Sequence, residues 1–233
     1  SGHPGGSLGC TDLLVELFFN AMNLKTDSSG NVVFQMDGNG EDVFYLSNGH
    51  ISPLIYSVLA RRGYFGVEEL ASFRKINTRL QGHPTPHEHL EGIRIASGSL
   101  GQGLSVAIGT AQAKKLSNDN SLVYCLMGDG EQNEGQVWEA AMYAPHHQVD
   151  NLIAFIDVNG QQIDGPTDKV MNNRDLGEKY KAFGWEILHM DGNNAVGVQQ
   201  TILKAKEISG KGSPIMVLMQ TEMGAGVDFM MGS

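Results

Sequence analysis

The 233-residue sequence has little cysteine, few basic residues and no long apolar run. Cys10 and Cys125 stand among apolar neighbours without C-x-x-C spacing, which predicts two reduced, buried thiols rather than a disulfide framework, as in a cytoplasmic protein. Sixteen Lys and Arg against 26 Asp and Glu give a formal net charge of −10, which argues against nucleic acid and anionic membrane as partners. A membrane span needs roughly 20 apolar residues, which no run approaches, and we expect no secretory leader.

Glycine is abundant, with 30 residues grouped in short clusters between apolar runs, a pattern typical of tight loops. Runs with strand character lie at 43–46, 121–127, 151–158, 185–190 and 214–221. Helical spacing occurs at 11–22, where Thr11 is a candidate N-cap, and at 52–62, 67–78, 104–116, 134–144, 175–182 and 195–208. Strands alternating with helices predict an α/β fold, a doubly wound, mostly parallel sheet with helices on both faces. We expect one domain, residues 1–233.

An aspartate between two glycines, Gly128-Asp129-Gly130, follows the apolar run 121–127. In a doubly wound sheet, ligands bind beyond the carboxyl ends of the strands, so Asp129 is a candidate binding residue. Asn159 follows the next predicted strand, and parallel neighbouring strands place their loops side by side. Carboxylate and amide oxygens suit Mg²⁺ or Ca²⁺ completed by phosphate oxygens. The alternative is a tight turn whose aspartate caps the next helix.

Several motifs resemble one known family. The Gly-Asp-Gly sequence followed by Asn159 is similar to the thiamine diphosphate motif, and further segments resemble the transketolases in collinear order over nearly the whole chain. These are SGHPGGSLG (1–9), LSNGHISPLIYSVLARRGYF (46–65), LQGHP (80–84), SGSLGQGLSVAIG (97–109) and DLGEKYKAFGWEILHMDGNN (175–194). The resemblance is strongest to the separately encoded N-terminal subunits of split transketolases, and it implies the thiamine diphosphate-binding fold of a PP domain.

The resemblance implies a cofactor site at the two strand ends. It makes the side chains of Asp129 and Asn159, with the backbone carbonyl of Gln161, the ligands of Mg²⁺ (or Ca²⁺). Gly130 matches a residue whose N–H contacts the diphosphate of thiamine diphosphate. The implied chemistry belongs to the cofactor, and the protein positions it and supplies acid–base groups.

Three histidines and a glycine-rich loop complete the implied site. All three match catalytic histidines: His50 matches one near the cofactor phosphate and substrate, which also binds the cofactor, and His3 and His83 match histidines that face the reacting carbons. Gly98 and Leu100 match positions that approach the thiazolium and the aminopyrimidine. Without the resemblance, His3 and His83 are more typical of solvated loop residues, and Leu100 of a core residue.

Glu134 matches an acid that links paired active sites across the subunit interface, in a proton relay. Without the resemblance it reads as an ordinary acid in the first turn of a helix, where the helix dipole favours negative charge. The segment 25–42 diverges from the family and receives no function.

The resemblance implies a transketolase subunit that transfers a two-carbon ketol unit from a ketose (phosphate) to an aldose (phosphate). The glutamate that activates the cofactor lies in a pyrimidine-binding domain, so we expect a C-terminal partner subunit, an α2β2-type assembly and no activity of the chain alone. Family members continue before SGHPG and beyond GVDFMMGS, which leaves open whether residues are missing from the two ends. The alternatives are the α-subunit of a 2-oxo acid dehydrogenase, and a catalytically silent regulatory homologue.

Overall fold

A computed structural model of the chain describes residues 3–231, so Ser1 and Gly2 of the first motif lie outside the described residues. Seven strands occur in this part of the chain: Val43–Leu46 (β1), Val123–Gly128 (β2), Leu152–Val158 (β3), Gln161–Gln162 (β4), Gly165–Pro166 (β5), Glu186–Asp191 (β6) and Ile215–Gln220 (β7). Five of them form a parallel sheet in the order β1-β2-β3-β7-β6, and β4 pairs with β5 in a small antiparallel hairpin. The predicted parallel α/β sheet is confirmed.

Eight α-helices connect and cover the strands in the described residues. They are Pro4–Gly9 (α1), Thr11–Glu16 (α2), Ser52–Arg62 (α3), Gly103–Leu116 (α4), Gly135–His146 (α5), Thr167–Val170 (α6), Leu176–Phe183 (α7) and Ala195–Ile208 (α8). The segment Leu17–Ala21 continues α2 as a π-helical turn.

Two apolar clusters lie on opposite faces of the sheet. One packs α2, α3 and α8 against strand residues such as Phe44, Leu126 and Phe155. The other packs α4, α5 and α7 against Val123, Cys125 and other residues of the opposite face. Strand residues are therefore buried on both sides, which explains the continuous apolar runs of β2 and β3. The doubly wound arrangement is the one predicted.

Two local predictions are wrong at the N-terminal end. Residues Pro4–Gly9 form α1, although their glycines belong to the clusters that predict tight loops, and Pro4 occupies the first helical position, where its missing N–H costs nothing. Thr11 is not an N-cap, because α1 runs almost directly into α2 and the Thr11 hydroxyl donates to the Ser7 carbonyl at 2.9 Å.

The prediction of a helix over 67–78 is also wrong. Only Val67–Ser72 is helical, as a 3-10 helix without a buried residue. Arg74 and Asn77 both adopt positive φ, at 58°, which a right-handed helix does not allow. Since most helical stability in proteins comes from packing an apolar face, a segment that buries none has little to hold it in an α-helix.

The segment 25–42 docks on the sheet beside β1. Glu41 is buried and pairs with Arg94 at 2.6 Å, and the Arg94 guanidinium lies over the Phe34 ring at 4.7 Å. The buried Lys114 ammonium donates to the carbonyls of Gly38 and Glu41. These contacts give the segment a structural role, which the sequence did not reveal.

Candidate functional site

The ends of β2 and β3 lie side by side, as the sequence predicts. Gly128 is the register partner of Asp157, and the Asp129 N–H donates to the Asp157 carbonyl at 3.1 Å. The Gly160 N–H, from the loop after β3, donates to Asp129 Oδ2 at 2.8 Å. The two loops therefore lie side by side at one edge of the sheet, at the carboxyl ends of its strands.

Asp129 occupies the centre of this edge and is 3% exposed. Its Oδ1 accepts the Gly130 N–H at 2.7 Å, and its Oδ2 also lies 3.4 Å from the Thr167 hydroxyl. Burial raises the pKa of Asp129 from 3.8 to about 6, and the nearby Asp157 acts in the same direction. A nearby cation stabilises the charged form of such a buried carboxylate.

Three acids are buried together around the ends of β2 and β3, namely Asp129, Glu131 and Asp157. Burial is the main cause that raises the pKa of Glu131 and of Asp157. Within residues 3–231, no Lys or Arg forms an ion pair with any of the three. Buried charges are normally paired or bound to a metal, so this concentration of negative charge favours a divalent cation nearby, although the three acids do not by themselves form a metal-binding group.

Asn159 and Gln161 lie in the loop after β3. The Asn159 amide nitrogen donates to Asp157 Oδ2 at 2.8 Å, and its Oδ1 accepts the Gln161 N–H at 2.9 Å. The Gln161 side chain is exposed. The structure therefore brings three predicted metal ligands, Asp129, Asn159 and Gln161, into adjoining loops.

A network of side-chain amides, absent from the sequence prediction, joins the β4–β5 hairpin to the loop after β2. Gln162 donates to Asn133 Oδ1 at 2.9 Å, and Asn133 donates to Asn173 Oδ1 at 2.7 Å. Asn173 in turn donates to the Asp129 carbonyl at 2.6 Å. An added Cβ at Gly130 would lie 2.9 Å from the Gln162 side chain, so glycine is required there for this close approach.

The three predicted histidines lie together on the neighbouring part of the same edge. The rings of His3 and His50 meet edge to face, with their centroids 5.2 Å apart. Burial, followed by the proximity of His3 and His83, lowers the pKa of His50 from 6.5 to about 4. His50 is therefore neutral at pH 7, and one of its ring nitrogens donates while the other accepts.

His83 is exposed and lies beside the glycine-rich loop 96–103. A Cβ on Gly98 would lie 3.5 Å from the His83 side chain, which places Gly98 within the histidine group. Leu100 is half-buried in the same loop.

Glu131 is not one of the predicted site residues, yet it holds three loops together. Its carboxylate accepts the Ser47 hydroxyl, the Gly101 N–H at 2.7 Å and the Gly128 N–H at 3.0 Å. Ser47 belongs to the SNGH loop and Gly101 to the glycine-rich loop. Its position next to the Gly-Asp-Gly sequence could have marked Glu131 as a site residue. Two of its partners, however, lie 30 and 84 residues away in the sequence.

Glu134 is exposed and stands at the N-cap position of α5 without a capping bond from its side chain. A Cβ on Gly101, which has φ of +86°, would lie 2.8 Å from the Glu134 Cβ. Glu134 therefore borders the glycine-rich loop and faces outward.

Both cysteines are buried and free. No helix within residues 3–231 has the length and apolar character that a membrane span needs. No group of three or more His, Cys, Asp and Glu side chains in that range could hold a metal, so a cation site there needs other oxygen donors.

A family model described as the thiamine diphosphate binding domain of transketolase matches residues 1–233. The chain is 38% identical over 231 residues to the 6-deoxy-6-sulfo-D-fructose transketolase subunit SqwG of Clostridium sp. (strain MSTE9), covering 99% of this chain and 80% of that one. It is 35% identical to one subunit of the apulose-4-phosphate transketolase of Phocaeicola vulgatus, covering 100% of this chain and 79% of that one.

Longer transketolases are also similar. Human transketolase is 36% identical over 97% of this chain, which spans 34% of the human protein. A transketolase variant from Pichia stipitis in complex with fructose 6-phosphate superposes with a TM-score of 0.85 at 31% identity, over 97% of this chain and 34% of that one. The transketolase from Leishmania mexicana gives a TM-score of 0.85 at 29% identity, with the same coverage. The chain thus spans about a third of the longer proteins.

Proposed function

The chain belongs to the transketolase family through its thiamine diphosphate-binding domain, and from that premise we propose that it is the N-terminal subunit of a split transketolase. It transfers a two-carbon ketol unit from a ketose (phosphate) to an aldose (phosphate). The observation that carries the proposal is the pair of adjoining strand ends, where the buried Asp129 carboxylate meets the Asn159 loop and, among the residues that the structure describes, forms no ion pair with Lys or Arg.

We assign the divalent cation, Mg²⁺ or Ca²⁺, to Asp129, the Asn159 side chain and the Gln161 carbonyl. Their oxygen donors suit a hard cation, and the uncompensated buried acids supply the negative charge that it neutralises. Gly130, which follows Asp129, is the residue that we assign to the diphosphate of the cofactor. A cation also allows the diphosphate, itself an anion, to bind a chain whose formal net charge is −10.

Bound thiamine diphosphate supplies the carbanion chemistry that breaks and forms the carbon–carbon bond. The three histidines act on the sugar: neutral His50 donates and accepts hydrogen bonds beside the cofactor phosphate and substrate. His3 and His83 hold sugar hydroxyls and exchange protons at the reacting carbons. Their grouping at one edge of the sheet supports these roles.

A partner chain completes the active site. We propose that it is a C-terminal subunit with the pyrimidine-binding domain, in an α2β2-type assembly, and that Gly98, Leu100 and Glu134 face it. The relatives named as transketolase subunits support this organisation. Two free, buried thiols suit a reducing, cytoplasmic compartment, and residues 1–233 act as one diphosphate-binding domain.

The test is to purify the chain with and without candidate partner subunits and to measure cofactor-dependent transfer over a panel of ketoses. Phosphorylated and sulfonated sugars are included, together with a 2-oxo acid. We expect transfer from a ketose only when both chains are present with thiamine diphosphate and Mg²⁺, and we expect the Asp129→Asn variant to lose it.

Transfer by the isolated chain would disprove the need for a partner. Decarboxylation of the 2-oxo acid would instead indicate a 2-oxo acid dehydrogenase subunit. Cofactor binding without any turnover, across the full panel and with every candidate partner, would point to a silent regulatory homologue.

A further inference from the structure

Asp157 is a buried acid that lies two residues before Asn159 and has no assigned role. It ends the buried part of β3 and is 2% exposed. Asp157 Oδ2 accepts the Asn159 amide N–H at 2.8 Å, and Oδ1 accepts the Thr221 hydroxyl. With two side-chain donors bound to it, the buried Asp157 carboxylate is turned toward the protein interior.

The contact between Asp157 and Asn159 determines which end of the Asn159 amide faces away from Asp157. A carboxamide has an oxygen that only accepts and a nitrogen that only donates, and it is the Asn159 nitrogen that donates to Asp157 Oδ2. The Asn159 nitrogen must therefore face Asp157, and Oδ1 must face the other way. Oδ1 accepts the Gln161 N–H at 2.9 Å, which uses one of its two lone pairs.

Only the oxygen end of a carboxamide binds a hard cation. If the Asn159 amide were reversed, its nitrogen would face the cation and the ligand would be lost. We infer that Asp157 is a positioning residue for the metal site: it holds Asn159 in the one amide orientation that presents Oδ1 to the divalent cation. This inference rests on the proposed function, which assigns that cation.

Other contacts make Asp157 a rigid support. Its carbonyl accepts the Asp129 N–H at 3.1 Å, which ties it to the other proposed ligand. Thr221 follows β7, so the carboxylate connects β3 to the next strand of the sheet. Partners of this kind, behind a metal ligand, typically change metal affinity by 10–100-fold when they are removed.

A double-mutant cycle tests this inference with Mn²⁺ as the probe. Free Mn²⁺ is measured by electron paramagnetic resonance on the chain assembled with its partner subunit, in the presence of thiamine diphosphate. We expect Asp157→Ala to weaken Mn²⁺ binding 10–100-fold in the otherwise unchanged protein. In an Asn159→Ala background, where there is no amide to orient, the same change should alter binding by less than about twofold.

Thr221→Val is the matched control, because it removes another partner of Asp157 and leaves the Asn159 contact. We expect it to bind Mn²⁺ within about threefold of the unchanged protein, since the orientation of the amide is kept. Near-UV circular dichroism of each variant verifies that it is folded.

Two results would overturn the positioning role: undiminished Mn²⁺ binding by Asp157→Ala, or an equal loss in the Asn159→Ala background, which would indicate a general structural effect. A different result tests the proposed function itself, apart from the role of Asp157. If the unchanged complex binds no Mn²⁺ in a cofactor-dependent manner, the metal assignment itself is wrong and the inference is overturned with it.

Discussion

At the scale of single residues, burial sets the charge states that the site works with. Asp129 is a buried acid whose pKa is raised to about 6, and His50 is a half-buried base whose pKa is lowered to about 4. Desolvation is the main cause in both cases, because it disfavours the charged form of either group. The acid gains from a nearby cation, whereas the base stays neutral and can both donate and accept hydrogen bonds.

The His50 pKa predicts a pH dependence of stability. The unfolded chain protonates this histidine near pH 6.5 and the folded chain only near pH 4, so the unfolded state binds more protons between these values. The contribution of His50 to the free energy of unfolding is therefore fully present above pH 6.5 and is lost as the pH falls toward 4. Between pH 7 and 5, we expect wild type to lose up to about 2 kcal/mol more unfolding free energy than His50→Gln.

Urea unfolding of both proteins at the two pH values measures this difference. The same pH dependence in wild type and variant, or a steeper one in the variant, would show that His50 is not held neutral by the fold.

Candidate site residues with a distinctive local sequence could be named from the sequence, and those defined by distant partners could not. Asp129 stands out because two glycines flank it at the end of an apolar run, and Asn159 because it follows the next strand. Glu131 and Asp157 are equally buried, yet their importance comes from donors elsewhere in the chain, such as Ser47 and Thr221. A single sequence does not show which distant groups will meet.

At the scale of elements, prediction succeeded where an apolar face packs on the sheet. Ser52–Arg62 and Ala195–Ile208 have the predicted bounds, because their apolar spacing matches the faces that they bury. The segment 67–78 has similar spacing but buries no residue in its helical part, Val67–Ser72. Apolar spacing indicates a possible helix, and the tertiary partner decides whether it forms.

The close contact between α4 and the SNGH loop predicts opposite effects for two glycines of one helix. The Gly103 N–H donates to Ser47 Oγ at 2.9 Å, and an added Cβ would overlap the Ser47 side chain. No heavy atom lies within 4 Å of a Cβ at Gly109. We expect Gly103→Ala to lower the unfolding free energy by about 2 kcal/mol, through overpacking, and Gly109→Ala to raise it by about 0.5–1 kcal/mol, through helix propensity.

Thermal or urea unfolding measures the stability of the two variants relative to wild type, and Gly109→Ala is the control for the substitution itself. If both variants shifted stability in the same direction by similar amounts, the contact between α4 and Ser47 would not be a tight one.

At the scale of the whole molecule, one edge of the parallel sheet collects the groups that the proposed chemistry needs. The ends of β2 and β3 carry the uncompensated acids, and the loop after β1 carries His50 next to His3 and His83. The carboxylate of Glu131 joins the loops between them. This arrangement accounts for an acidic chain that binds an anionic cofactor, provided that a divalent cation lies between Asp129 and the diphosphate.

The position of that cation is the central claim, and anomalous diffraction at the manganese edge tests it most directly. Crystals of the assembled complex would be grown with Mn²⁺ and thiamine diphosphate. We predict one anomalous peak per copy of the chain, within about 2.2 Å of an Asp129 carboxylate oxygen and of Asn159 Oδ1. A peak elsewhere, or bound cofactor with no peak between these two residues, would contradict the account.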